Sequence, residues 1–123
     1  MAKAVGVGGV FLKARDPQAL SAWYAASFGI QSGPGGSLIF DGPESAGMTV
    51  LAHFSQNTDY FGDGAQQAMV NFRVDDLDQL LAQLTAAGVS IDPHREDFAY
   101  GRFAWILDPE GNRVELWQPS PDK

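Results

Sequence analysis

The stretch DPEGNRVELW, residues 108–117, joins a tight turn to an alternating strand. Its first five residues include Asp, Pro, Gly and Asn, which are typical of turns. In its second half two aliphatic residues alternate with Arg113, Glu115 and Trp117, which predicts a strand with one apolar face and one mixed face. Residues 102–107 are a second strand candidate directly upstream. The turn itself is interpreted as specifying the fold only.

A strand and a helix are predicted before this pair of strands. Residues 68–74 (AMVNFRV) form a strand candidate, and Asp75-Asp76 offers a helix N-cap. Four leucines between residues 77 and 84 recur at helical spacing, and Gly88 closes the helix.

The first half of the chain repeats this order. Residues 10–14 are a strand candidate, and Asp16-Pro17 then starts a helix that Gly29 ends. Strand candidates follow at residues 37–40 and 47–54. The interval from Asp16 to Gly29 equals the interval from Asp75 to Gly88, so the chain is predicted to contain two similar units of about 60 residues.

Length and composition narrow the class of protein. A chain of 123 residues fits one domain, here 1–123, with module one at about residues 5–56 and module two at about 66–119. The net charge of −7 argues against a nucleic-acid partner, which needs a basic surface. The chain has no cysteine, which excludes a disulfide scaffold and a thiolate metal site. No apolar run approaches a membrane span and no signal peptide is evident, so we expect a cytoplasmic protein without a membrane partner.

Strand alternation predicts a mixed polar and aromatic face on three strands, a typical lining for a small-molecule site. The residues on these faces are Gly9, Phe11 and Lys13, then Met69, Asn71 and Arg73, then Arg113, Glu115 and Trp117.

The sequence resembles the vicinal oxygen chelate superfamily, which includes glyoxalase I, bleomycin-resistance proteins, fosfomycin-resistance proteins and extradiol dioxygenases. The stretches that carry the resemblance are VFLKARD (10–16), WY (23–24), FGI (28–30), NFRVDDL (71–77), YGR (100–102) and DPEGNRVELW (108–117). The resemblance implies an α+β fold of two βαβββ modules. Their strands would form a curled mixed sheet around a cavity, with the helices outside.

The resemblance also locates the positions that hold a divalent metal in many members. The last-strand position matches Glu115, but the first-strand positions match Gly9 and Met69, and a fourth falls near Val50. A single carboxylate cannot hold a transition metal, which takes three or four protein donors. We therefore expect no metal and no cofactor.

Several residues are candidates for ligand binding, and each has an ordinary structural interpretation beside it. The candidates are Phe11, Lys13, Tyr60, Met69, Asn71, Arg73, Tyr100, Arg102, Arg113 and Trp117. The cations among them form either a clamp for an anionic or carbonyl ligand or an internal network that neutralises Glu115. The aromatics either stack on a ligand or belong to the core. Tyr60 and Phe61 form either a lid, a subunit contact or ordinary linker packing.

Four further residues are expected to be structural. Trp23 and Tyr24 are assigned to the core, and His94 to an exposed charged loop. His53 is either a general base or, more in keeping with a lone histidine on a strand, a structural residue.

Two functions are consistent with these residues. The first is a metal-independent protein that binds a small anionic or carbonyl compound, similar to the bleomycin-resistance type. The second is a lyase, isomerase or hydrolase in which Glu115 is the general base or a ligand of an atypical metal site, and Arg73 or Arg102 stabilises an oxyanion. By analogy with the superfamily we expect a homodimer.

Overall fold

The computed structural model describes residues 1–42, 47–62 and 65–120. Within these ranges two α-helices, one short 3-10 helix (Pro34–Gly36) and eight strands confirm the predicted α+β class. The elements, in chain order, are β1 (Ala4–Ala14), α1 (Pro17–Phe28), β2 (Gln31–Ser32), β3 (Leu38–Phe40), β4 (Thr49–Ser55), β5 (Ala68–Val74), α2 (Leu77–Ala86), β6 (Ile91–Phe98), β7 (Gly101–Leu107) and β8 (Arg113–Pro119). Both halves therefore follow the order βαβββ.

The chain divides into two compact units, one of residues 8–69 and one of residues 1–7 with 70–123. In the first unit the strand order is β2-β3-β4-β1, and β1 runs parallel to β4. In the second unit the order is β5-β8-β7-β6, and β5 runs parallel to β8. The two units thus repeat one pattern, in which the first strand of a module pairs with its last strand.

Both helices start where the sequence predicts. The Asp16 carboxylate accepts a hydrogen bond from the Ala19 amide, and Pro17 follows as the first helical residue. Gly29 ends α1 in the left-handed conformation, with φ of 67°. In α2 the Asp76 carboxylate caps the helix by accepting from the Gln79 amide.

The core of the second unit lies between α2 and one face of the strands. Leu77 and Leu81 of α2 pack with Val74, Ala104 and Leu116, all of them buried. Burial of a leucine side chain contributes about 2 kcal/mol, so this apolar layer fixes α2 against the strands. The opposite face of the same strands carries the polar candidates.

Strand β6 is missing from the sequence-based prediction, which placed His94 on a loop. Its sequence, IDPHREDF, is charged and contains Pro93, features that are tolerated on an edge strand. β6 is at the end of the strand order of its unit, where β7 is its one pairing partner among the described residues. Charge and proline therefore mark an edge here rather than a loop.

The assignment of Trp23 to the core is wrong, because its side chain is 55% exposed. Phe28, on the same helix, is 65% exposed. The small residues of α1 bring it close to the strands, and Ser21 is its only buried residue among those described.

Among the residues that the structure describes, no helix has the length and apolar character needed to cross a membrane.

Candidate functional site

Glu115 is 2% exposed and lies at the centre of the polar face of the second unit. Strand pairing places Asn71 of β5 on one side of it and Trp105 of β7 on the other. The Asn71 side-chain amide donates to Glu115 Oε1 at 2.6 Å, and the Trp105 indole N–H donates to Oε2 at 2.9 Å. Both carboxylate oxygens thus accept hydrogen bonds, an arrangement that favours the ionised carboxylate.

Trp105 also contacts the side chains of Arg113 and His94. The Arg113 guanidinium lies 5.3 Å from the centre of the indole ring, and the His94 ring stacks on it at 5.5 Å. Arg113 donates to Asp92 at 2.9 Å. The pKa of Asp92 is lowered, first by the hydrogen bond from the His94 amide and then by Arg113. Trp105 was not among the candidates named from the sequence, and His94 was assigned to an exposed loop rather than to this contact.

Arg73 lies two residues beyond Asn71 on the same face of β5 and pairs in register with Trp117. A Cβ atom at Gly6 would overlap the Arg73 guanidinium, so that group lies directly across the backbone of β1. Because Gly6 has no side chain, there is room beside it for the Arg73 guanidinium. We call the surface formed by Asn71, Arg73, Trp105, Arg113, Glu115 and Trp117 the Glu115 face.

Among the buried polar atoms on this face, two that belong to Asn71 and Trp117 have no hydrogen-bond partner in the described part of the chain. They are the side-chain oxygen of Asn71 and the indole N–H of Trp117. Buried polar groups in proteins are nearly always paired, and exceptions often mark a bound water or ligand. The Glu115 face thus retains one buried acceptor and one buried donor.

Arg102 lies on the opposite face of β7, away from Glu115. It makes a two-pronged contact with Asp78 of α2, at 3.0 and 3.1 Å. This contact is the main cause of the lowered pKa of Asp78, to which Arg95 adds, and of the raised pKa of Arg102. The structure therefore does not bring Arg102 together with Glu115.

Tyr100 follows β6 and is 49% exposed. Its ring stacks on Phe98 at 5.2 Å and meets Phe103 edge-on at 5.8 Å. Phe103 in turn stacks on Trp117 at 6.0 Å. Tyr100 is therefore linked to the Glu115 face through rings rather than by a polar contact.

The candidates of the first unit form a separate aromatic group around Phe54 of β4. Phe11 and Tyr60 contact the Phe54 ring at 5.5 and 5.4 Å. The Lys13 ammonium lies 5.6 Å from the centre of the Phe61 ring, which is 1% exposed. The structure brings Phe11, Lys13 and Tyr60 together, and it adds Phe54, which the sequence did not single out. Met69, the remaining candidate, is also 1% exposed.

The residues at the superfamily's metal positions do not fit a metal. Gly9 and Val50 are paired in register on β1 and β4, and neither has a donor side chain. Met69 offers only a thioether. No cluster of three or more His, Asp or Glu side chains suited to a metal occurs in the described ranges. The Glu115 carboxylate accepts hydrogen bonds from two N–H groups, and the residues at the other three positions do not supply the ligands that a transition metal needs.

His53 of β4 faces helix α1. Its Nδ1 lies 2.8 Å from the Ser21 hydroxyl, and its ring stacks on Tyr24 at 5.4 Å. Burial lowers the pKa of His53 because a desolvated imidazole disfavours the charged form. This environment favours the structural interpretation of His53.

The lowered pKa of His53 predicts how the stability of the folded chain depends on pH. The unfolded chain takes up a proton at His53 near pH 6.5, whereas the folded chain does so only at lower pH. Stability should therefore be unaffected by this group above about pH 6.5 and should fall as the pH decreases below it. Urea unfolding midpoints measured from pH 5 to 8 should show this decline in the wild type and a smaller one in His53→Asn. An equal decline in both proteins would contradict the prediction.

The fold consists of two βαβββ modules, and the second module carries a buried concentration of polar side chains around Glu115. A sequence profile for the glyoxalase-like domain matches residues 9–117. The chain belongs to this glyoxalase-like family, within the vicinal oxygen chelate superfamily. No curated protein shows significant sequence similarity to it.

Solved structures with the same fold differ in the activity named for them. Methylmalonyl-CoA epimerase from Mycobacterium tuberculosis is 22% identical, with a TM-score of 0.67 over 97% of this chain and 91% of that chain. A variant of the Streptomyces coelicolor epimerase, in complex with 2-nitronate-propionyl-CoA, is 14% identical, with a TM-score of 0.72 over 96% and 99%. A Legionella pneumophila structure described as an NAD-dependent benzaldehyde dehydrogenase is 17% identical, with a TM-score of 0.61 over 91% and 98%. At these identities the likeness establishes the fold alone.

Proposed function

We propose that the chain binds a small anionic or carbonyl-containing molecule on the Glu115 face, without a metal ion. The observation that carries this proposal is the pair of buried, unpartnered atoms, the Asn71 side-chain oxygen and the Trp117 indole N–H. A carbonyl or carboxylate oxygen is a suitable acceptor for the indole N–H. A hydroxyl, enol or amide group of the same molecule would supply a donor for Asn71.

One cation of the face, Arg73, supports an anionic ligand. Arg73 and Arg113 both lie on it in a chain of net charge −7. A guanidinium can bind a carboxylate through two parallel hydrogen bonds. We assign the ligand to Arg73 because it lies two residues from Asn71 on the same face of β5, in register with Trp117.

The assignment of Arg73 gives a second prediction. Pyruvate, which carries a carboxylate beside a carbonyl, serves as the probe. Arg73→Ala should weaken pyruvate binding at least roughly ten-fold in calorimetric titration, because a charge-assisted pair is lost. Circular dichroism should show an unchanged fold, since Arg73 is only half-buried.

Arg95→Ala is the matched control, because it also removes one positive charge but from a residue that pairs with Asp78. It should change pyruvate binding by less than about two-fold. An equal loss of pyruvate binding in both variants would mean that the effect comes from net charge alone. Arg73 would then not belong to the site.

A second candidate function follows from the position of Glu115. A buried carboxylate held in place by two N–H donors is suited to take a proton from a carbon next to a carbonyl, which is the role of a general base. Structures named as methylmalonyl-CoA epimerases share this fold, and an epimerase must invert a carbon centre. This likeness supports the second function.

Proton exchange separates the two functions. In D₂O, a chain that uses Glu115 as base would incorporate deuterium into methylmalonyl-CoA, and Glu115→Gln would slow this at least roughly a hundred-fold. Glu110→Gln, on the exposed turn before β8, is the control and should exchange at the wild-type rate. Absence of exchange in the wild type, together with pyruvate binding, would support the binding function.

A further inference from the structure

A separate cavity lies in the first unit, at the C-terminal end of α1. Its volume is about 560 Å³, and it is lined by residues from the end of the helix, the β2–β3 hairpin and β4. These residues are Phe28, Gly29, Ile30, Gln31, Ile39, Phe40, Asp41, Gly42 and Thr49. None of them belongs to the Glu115 face or to the aromatic group around Phe54.

Two partly exposed aromatic rings border this cavity. Phe28 is 65% exposed, although one face of its ring stacks on Tyr24 at 5.8 Å, and Phe40 is 42% exposed. Together they give the cavity an apolar border that another molecule can contact. Aromatic faces are electron-rich and attract cations, above all ammonium groups with apolar substituents.

The charges around the cavity also favour a cation. The Asp41 carboxylate is its one charged lining group among the described residues. The negative end of the dipole of α1, a helix of 12 residues, points to Gly29 on the cavity wall. The last turn of α1 contains no basic residue that would neutralise it.

We propose that this cavity binds a small organic cation, an ammonium group with apolar substituents. The ring faces of Phe28 and Phe40 would contact the substituents, while Asp41 and the end of α1 stabilise the charge. A small anion is disfavoured here because the one charged side chain of the described lining, Asp41, is negative, and α1 presents the negative end of its dipole. The site is independent of the function proposed for Glu115.

Choline and its neutral analogue 3,3-dimethyl-1-butanol, which replaces the charged nitrogen with carbon, test the proposal. Amide signals of the ¹⁵N-labelled chain are followed at constant ionic strength during titration with each compound. Choline should produce saturable shifts at residues 28–31, 39–42 and 49. The neutral analogue should bind at least roughly five-fold more weakly, because it lacks the cation–π and charge contributions.

Substitutions at the cavity test whether choline binds there. Asp41→Asn and Phe28→Leu should each weaken choline binding roughly two- to five-fold. Asp97→Asn and Phe98→Leu are the matched controls, since they alter an exposed Asp-Phe pair on β6 and should leave binding unchanged. Equal binding of the neutral analogue, absence of saturable shifts at the cavity, or equal losses in the controls would each overturn the proposal.

Discussion

Replacing Asn71 with leucine is expected to lower the free energy of unfolding by about 3 kcal/mol. The cause is Glu115, which is almost fully buried and would lose the 2.6 Å hydrogen bond from the Asn71 amide. A buried carboxylate that loses a donor keeps its desolvation cost, whereas leucine has the same branched arrangement of side-chain heavy atoms as asparagine but cannot donate a hydrogen bond. Urea unfolding at pH 7 measures the loss.

A double-mutant cycle shows whether the loss belongs to this pair. Glu115→Leu removes the charge, so Asn71→Leu in that background should cost much less than in the wild type. We expect a coupling energy of at least about 1.5 kcal/mol between the two positions. Additive losses would mean that Asn71 stabilises the chain by packing rather than by holding the carboxylate.

The second large effect is expected for Gly101→Ala, which should cost about 3 kcal/mol. Gly101 has φ of 155°, a conformation that an alanine resists. Its Cβ atom would overlap Trp117 Nε1 and lie 2.9 Å from the Gln118 carbonyl oxygen. Backbone strain and steric overlap therefore act together at the start of β7.

Gly111→Ala separates these two causes. Gly111 has φ of 85°, but a Cβ atom added there would meet no other atom within 4 Å, so strain acts there alone. Its cost should be about 1 kcal/mol, clearly less than that of Gly101→Ala. Equal unfolding free energies for the two variants would contradict the close packing of Trp117 on Gly101.

Much of the fold was predictable because turn and cap residues act locally. Asp16, Gly29, Asp76 and Gly88 mark the helices through hydrogen bonds and backbone conformations that depend on near neighbours. Strand β6 escaped prediction since an edge strand needs no alternating apolar face.

The site was only partly predictable. Strand alternation alone placed Asn71, Arg73, Glu115 and Trp117 on one face. The partner Trp105 was within reach as well, because the turn pairs Leu107 with Arg113 and hence Trp105 with Glu115.

Contacts that depend on tertiary packing could not be predicted from the sequence. Arg102 was assigned to the site, but the placement of α2 brings Asp78 to it on the other face. The exposure of Trp23 likewise depends on how α1 packs, since Trp23 and Tyr24 are neighbours with different environments.

The most direct test of the central claim uses the three tryptophans of the chain as reporters. The ¹⁵N-labelled protein is treated with EDTA, titrated with pyruvate and observed at its three indole N–H signals. We predict that the Trp117 signal moves, with a smaller change at Trp105, while Trp23 on α1 stays fixed. Unmoved Trp117 and Trp105 signals, or movement that requires added zinc or nickel, would contradict a metal-independent binding site on the Glu115 face.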